Sequence, residues 1–519
     1  MPRRFTLKNR SSGLLMHVTS LPGPHGCGDL GPAAYHFVDF LAAAGQSWWQ
    51  MLPVNPVGPG YSPYSALSAF AGSPLLISLQ RLVDDGLLDA RELKAGRGLH
   101  ADRVAYPAVV RFRWALLRRA GARFAAEGGL NNRDFRRFCQ DHADWLDDYA
   151  LYAALRRARR DQGWLTWEPA LRLRRGSAVR AATAELRAAI DLERFVQYEF
   201  ERQWTALRQY AHTASVGLIG DIPIFVAHDS SDVWAHRDLF DLDAKGHAKT
   251  VSGVPPDYFS KTGQLWRHPH YRWPQHEATG FKWWLSRFRR VLTQFDAIRI
   301  DHFLGFNRVW AVPGRARTAQ RGKWVPTPGA KLFTALRKKM GRLEIIAEDL
   351  GLVIPEAMAL RDRFGFPGMR LLHFAFGNDE GDRYNQPHTY PKNCVVYPGT
   401  HDNETTAGWF KRLRAEDQAA HRRKSSAADL TPCARVLRYT GTSGREIHWD
   451  LIRLALLSPA NTAIVPAQDL LGLDNRARMN APSTTRGNWQ WRLRAGQLTD
   501  RVAHRLRELA EAYGRVAEA

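Results

Sequence analysis

Three short acidic segments bring together residue types able to work on a sugar bond. They are Arg299-Ile300-Asp301-His302-Phe303, Ala347-Glu348-Asp349-Leu350-Gly351 and Gly399-Thr400-His401-Asp402-Asn403. Two carboxylates flanking a glycosidic bond suffice to break it, one as nucleophile and the other as acid and base. Residues two apart on a strand share a face, so Arg299 and Asp301 point the same way, and a guanidinium there favours the ionised carboxylate that a nucleophile needs. A partly desolvated Glu348 would keep its proton for use as a general acid. Asp221, in Gly220-Asp221-Ile222-Pro223, and the pair His401-Asp402 occupy similar positions in their own segments. Taken singly, each residue has a plain structural alternative. An Asp just past a strand commonly caps the next helix, a role that suits Asp349 better than Glu348. Arg299 and Asp301 also read as a structural ion pair, and His302 and His401 as framework histidines. Their joint occurrence favours the functional reading.

The elements that must position these residues are legible as apolar runs. Strands are expected at Gly13 to Val18, Trp48 to Val54, Val216 to Ile224, Phe295 to Ile300, Leu343 to Ala347, Arg370 to Ala375, Cys394 to Tyr397 and Thr462 to Pro466. Many are rich in Val, Ile and Leu without alternation, as strands buried on both faces should be. Helical patterns separate most of them, among them Ala34 to Ala44, Phe281 to Gln294, Lys331 to Met340 and Trp449 to Leu457. Eight such strands predict an α/β fold, a (β/α)8 TIM barrel, whose site is built from the loops after the strands. The interval from the second to the third strand is too long for one barrel unit. We therefore expect barrel strands 1 and 2 in residues 1–79, an inserted helical subdomain over 80–208, and the rest of the barrel in 209–519. The stretch Asp241 to Trp273, rich in Gly, Pro, Tyr, Trp and His, reads as a long irregular loop of the kind that forms a lid.

Composition narrows the class without naming a function. The formal net charge of +23 raises the question of nucleic acid, but the cations are spread along the chain and no nucleic-acid module accompanies them. Cys27, Cys139, Cys394 and Cys433 are far apart and show no metal spacing, which suits free thiols in a reducing compartment. The basic start Met1-Pro2-Arg3-Arg4-Phe5 is followed by no apolar leader, and no apolar run is long enough to span a bilayer. A cytoplasmic protein, without membrane attachment, is expected. Gly26-Cys27-Gly28-Asp29-Leu30-Gly31 matches a dinucleotide fingerprint, yet it follows a Pro/His-rich loop rather than a strand. His268-Pro269-His270 offers two imidazoles with no further metal ligands nearby. No P-loop and no nucleophile elbow occurs.

The acidic segments together resemble the short regions shared by the α-amylase clan of retaining α-glucan enzymes. The wider context is similar to the 4-α-glucanotransferase, or amylomaltase, family. The blocks that carry the resemblance are Gly28-Asp29-Leu30-Gly31, Ser62-Pro63-Tyr64 with Ser68-Ala69-Phe70-Ala71-Gly72, Gly220 to Val226, Gly253-Val254-Pro255-Pro256-Asp257, Gly263-Gln264-Leu265-Trp266, Gln468-Asp469-Leu470-Leu471-Gly472 and Gly487-Asn488-Trp489. The resemblance implies Asp301 as nucleophile, Glu348 as acid/base and Asp402 as transition-state stabiliser. It implies a donor site lined by Tyr64, Asp221, Arg299, His302 and His401, with Trp266, Asp469 and Asn488 as further substrate-binding residues. It also implies that the loop from Pro255 to Trp266 covers the acceptor side. The family continues that loop with Gly-Asn, whereas this chain has Arg267-His268, a departure that bears on lid conformation and acceptor preference.

The expected reaction is transfer of α-1,4-glucan segments between maltooligosaccharide, starch or glycogen-type donors and acceptors, glucose included, without cofactor or metal. Two alternatives remain at this level. A retaining α-glucan hydrolase would use the same carboxylates, and a catalytically inert glucan- or nucleic-acid-binding protein would not need them intact.

Overall fold

Short strands of branched and aromatic residues alternate with helices along the chain, the pattern that closes a parallel barrel. The computed structural model describes residues 5–256, 261–351, 354–377, 384–422 and 431–516. The strands are β1 (Ser11–Leu15), β2 (Trp48–Gln50), β3 (Gly217–Pro223), β4 (Thr250–Val254), β5 (Gln264–Pro269), β6 (Ala297–Asp301), β7 (Arg308–Pro313), β8 (Lys323–Pro326), β9 (Ile345–Ala347), β10 (Gly368–Leu371), β11 (Cys394–Tyr397) and β12 (Thr462–Pro466). Eight of them close a parallel barrel in the order β1-β12-β11-β10-β9-β6-β3-β2. These are the eight strands expected from the sequence, with ends shifted by a few residues.

Alternation along the strands sorts the core into two layers. Leu15, Trp48, Ile219, Ala297, Ile346, Met369, Val395 and Ile464 pack together in the barrel interior. Their neighbours Leu14, Trp49, Leu218, Ile298, Ile345, Val396 and Val465 pack with residues of the helices that follow, such as Phe37 and Leu41. The register is tight where the acidic residues emerge: Asp221 lies opposite Arg299, and Ile300 opposite Ala347.

Between β2 and β3 the chain runs through helices, the longest being Tyr106–Ala126, Ala143–Ala158 and Arg187–Thr213. The last leads directly into β3, with the Val216 amide closing onto the Ala211 carbonyl. The stretch Asp241 to Trp273, expected to be irregular, is so only in part among the described residues. It supplies β4 and β5 to an antiparallel sheet of order β5-β4-β7-β8. The partner strand β7 lies some way downstream, beyond β6, and β4 is short and carries Gly253, so no local alternation announced it. Asp257, and the part of the expected lid loop around it, lies outside the described residues. Among the described residues no helix is long and apolar enough to cross a membrane.

Candidate active site

The barrel's own alternation delivers the polar cluster. Asp221 follows Ile219, Arg299 follows Ala297, Asp301 follows Arg299 and Glu348 follows Ile346, each two residues on and therefore on the interior face at the C-terminal rim. Arg299 joins the carboxylates. Its Nη1 donates to Asp221 Oδ1 and Oδ2 at 3.0 and 2.8 Å. Its Nη2 lies 3.0 Å from Asp301 Oδ1. Burial works against the Arg299 charge, but Asp221 and Asp301 outweigh it and hold its proton more firmly than usual. The Asp221 side chain is 0% exposed, whereas that of Asp301 is 31% exposed, so the second is the one open to the cleft.

Tyr64, from the loop after β2, donates its hydroxyl to Asp221 Oδ2 at 2.7 Å and lies 2.8 Å from His401 Nε2. With its one proton committed to Asp221, the phenol accepts from His401, which assigns the Nε2–H tautomer. The Tyr64 and His401 rings stack at 5.3 Å. Asp402, next along after β11, keeps its side chain 41% exposed. Asn480 donates to its Oδ1 at 2.6 Å, and Arg478 to its backbone oxygen at 2.7 Å.

Glu348 sits at the end of β9, against the chain that leaves β6. Its Oε2 accepts from the His302 amide at 2.8 Å and its Oε1 from the Leu350 amide at 3.2 Å. His302 adopts left-handed backbone (φ 53°), the conformation that aims this amide. Burial pushes the Glu348 carboxyl up to about 8; Arg299 pulls it down, and the neighbouring Asp301 pushes it up again. The Trp266 ring meets the His302 ring edge-on at 4.8 Å.

Of the residues expected at the site, Asp301, Glu348, Asp402, Tyr64, Asp221, Arg299, His302, His401 and Trp266 come together around this rim. Asp469 and Asn488 do not join them directly. Asp469 is buried and accepts from the Thr406 amide at 2.7 Å, holding the first turn of the helix Thr406–Arg422. Burial pushes its carboxyl up to about 7. Asn488 spends its side chain on its own loop, accepting from the Ala481 amide and donating to the Thr484 oxygen. Its neighbour Trp489 is the one that reaches the site, 5.7 Å from the Tyr64 ring and 6.0 Å from His401.

Asp349 is structural but caps no helix: it accepts from the Met369 amide at 2.7 Å and pairs with Arg361, tying β9 to β10. A Cβ on Gly368 would stand 2.4 Å from Asp349 Oδ2, so glycine is required there. Asn480 was not singled out from the sequence, and Trp489 and Phe225 stood only within blocks of the resemblance and not as site residues, because an amide and two aromatic rings carry no spacing signal of their own. The imidazoles of His268 and His270 go to different partners, Ser65 and Thr250.

Comparisons with known proteins place the whole chain in a family. A family model described as 4-alpha-glucanotransferase matches residues 16–499. A 4-alpha-glucanotransferase of Synechocystis sp. is 45% identical over 514 residues, spanning 98% of this chain and 99% of that one. The enzyme of that name from Thermus thermophilus is 43% identical, over 98% and 99% of the two chains. Among solved structures, the amylomaltase of Streptococcus agalactiae in complex with acarbose superposes with a TM-score of 0.91 at 36% identity, covering 98% of this chain and 99% of that one. Matched over residues 16–499 by the family model and over 98% of its length by a relative 45% identical, the chain belongs to the 4-alpha-glucanotransferase family.

Proposed function

We propose that the chain moves α-1,4-glucan segments between maltooligosaccharide or starch- and glycogen-type donors and acceptors by double displacement. Asp301 attacks the anomeric carbon as the bond to the leaving glucan breaks, and Glu348 gives its proton to the departing oxygen. A glycosyl ester on Asp301 results. Glu348 then takes the proton of an acceptor hydroxyl, which attacks the same carbon and frees Asp301. Two inversions retain configuration. One glycosidic bond is broken and one made, so the exchange runs without an energy source. Asp402, held by Asn480 and Arg478, faces the same space and stabilises positive charge at the anomeric carbon. Arg299, Asp221, Tyr64 and His401 form a rigid donor floor. Asp469 and Asn488 serve by fixing the backbone on which His401, Asp402 and Trp489 stand.

The observation that carries this reading is the divergence of two neighbouring carboxyls. Glu348, at about 8, holds a proton at neutral pH, while Asp301 is paired with Arg299 and open to the cleft. The dispersed free thiols fit a cytoplasmic enzyme. Incubation with maltotriose tests the reaction: oligomers longer than the substrate are expected, and glucose and maltose as sole products would make it a hydrolase.

A further inference from the structure

The pairing of β4 with β5 is interrupted beside the site. Val251 lies opposite Pro269 and Gly253 opposite Leu265, so the single residue Ser252 faces three, Trp266, Arg267 and His268. This is a bulge with two extra residues, and bulges next to active sites re-aim side chains. Arg267 bears the distortion with a φ of 65°, a region that side chains other than glycine's enter only under strain. Its own side chain is exposed, and no partner for it is found among the described residues. The strain therefore serves its neighbours. Trp266 is turned onto His302, and His268 is turned toward Ser65, which follows Tyr64 in the loop after β2.

His268 is partly buried there. Its Nε2 lies 3.4 Å from Ser65 Oγ, a long contact, and its Nδ1 has no partner among the described residues. The Phe225 ring lies 6.4 Å from the His268, Trp266 and His302 rings alike, so one aromatic platform backs all three. Asp301 is close enough to act on the imidazole electrostatically. Burial still holds that ring neutral, down to about 4, so it can both donate and accept. This flank carries His302, whose amide holds Glu348, the group that handles the leaving and entering oxygens.

We infer that His268 is an acceptor-specificity residue, hydrogen-bonding a hydroxyl of the incoming glucan from the β5 bulge. This rests on the transfer mechanism proposed above. The strained bulge is what brings a neutral imidazole to that place, with Phe225 fixing its plane and Ser65 orienting one nitrogen.

The test separates the two half-reactions, using α-maltosyl fluoride as donor and glucose as acceptor. Wild-type enzyme should release a burst of fluoride and then turn over with glucose. Absence of any glycosyl-enzyme would overturn the mechanism and the assignment with it. Given the burst, His268→Ala should raise the KM for glucose about 5- to 10-fold, the worth of one neutral hydrogen bond. The burst rate should fall by less than about twofold, since glycosyl-enzyme formation does not use the bond. His268→Asn, which keeps a neutral donor and acceptor, should bring the KM back to within about threefold of wild type. An unchanged KM in His268→Ala would overturn the assignment. So would burst rate, KM and thermal midpoint worsening together in both variants, because that pattern belongs to a residue that only packs the bulge.

Discussion

At the scale of single residues, the site works through two neighbouring carboxyls in different surroundings, Glu348 buried and Asp301 paired with Arg299 and open to the cleft. Asp301→Asn removes the nucleophile with almost no change of shape, so the fold should persist while turnover falls by roughly 10⁴-fold or more. Near-normal turnover of the purified variant would reject Asp301 as nucleophile. Glu348→Gln should be rescued in its first step by a glycosyl fluoride, whose leaving group needs no acid, and should then stall as an adduct on Asp301. Equal residual rates on natural and activated donors would reject Glu348 as acid/base. The pH dependence follows from the carboxyl raised from 4.5 to about 8. Wild-type turnover should fall along an alkaline limb near that value, as Glu348 loses the proton it gives to the leaving oxygen. Between 4.5 and 8 the folded state holds a proton that the unfolded state has lost, so this group costs stability progressively as pH rises through that window. Glu348→Gln lacks the cost, and its stability relative to wild type should increase from pH 5 to pH 8 in urea titrations. A constant difference would mean that burial does not raise this carboxyl. These residues were legible because each ends or directly follows an apolar strand run. Asn480, which fixes Asp402, was not, because an amide in a loop looks the same whether it binds a carboxylate or water.

At the scale of elements, the barrel strands were readable and the accessory sheet was not. Strands buried on both faces are continuous apolar runs, and Cys394–Tyr397 and Thr462–Pro466 fall where those runs predict. β4 and β5 are short, half-exposed and interrupted by a bulge, and their pairing depends on β7, which lies beyond β6 in the chain. Such strands are set by tertiary partners rather than by their own pattern. The sheet nonetheless borders the site. Trp266 packs its edge on His302 at 4.8 Å and leans on Phe225 at 6.4 Å. Trp266→Ala should open that side, letting water reach the glycosyl-enzyme and weakening the apolar platform for the acceptor. From maltotriose, free glucose should rise relative to transfer products, while the thermal midpoint stays near wild type. If both activities and the midpoint fall in parallel, the ring only holds the sheet to the barrel.

At the scale of the whole molecule, the charge of +23 is partly an interior property. Arg113, Arg492 and Arg515 are fully buried and bond to backbone carbonyls, so they contribute to the formal charge without marking a surface for any partner. Composition shows neither their burial nor their bonds. Arg515 is the clearest case. After the last helix it enters the foot of the barrel and donates to the carbonyls of Ser11 and Asn461, at the starts of β1 and β12. The same guanidinium reaches Ala455, Leu456, Ser458 and Ala460. It thus clasps the seam where the first and last strands meet, at the end of the barrel opposite Asp301, where residues serve stability rather than chemistry. Arg515→Ala would remove its bonds to these carbonyls, although Arg10 still donates to Leu456, Ser458 and Ala460, the Ser458 hydroxyl to Ala455 and the Ser11 amide to Asn461, so the cost should be roughly 1–3 kcal/mol. Arg515→Lys, with one compact ammonium in place of the fork, should recover only part of that. Urea titration should place the three midpoints in the order wild type, Lys, Ala, while initial rates of transfer measured well below the transition agree to within about twofold. An Ala variant as stable as wild type would remove the clasp. A stable variant with impaired transfer would instead show that the seam communicates with the rim.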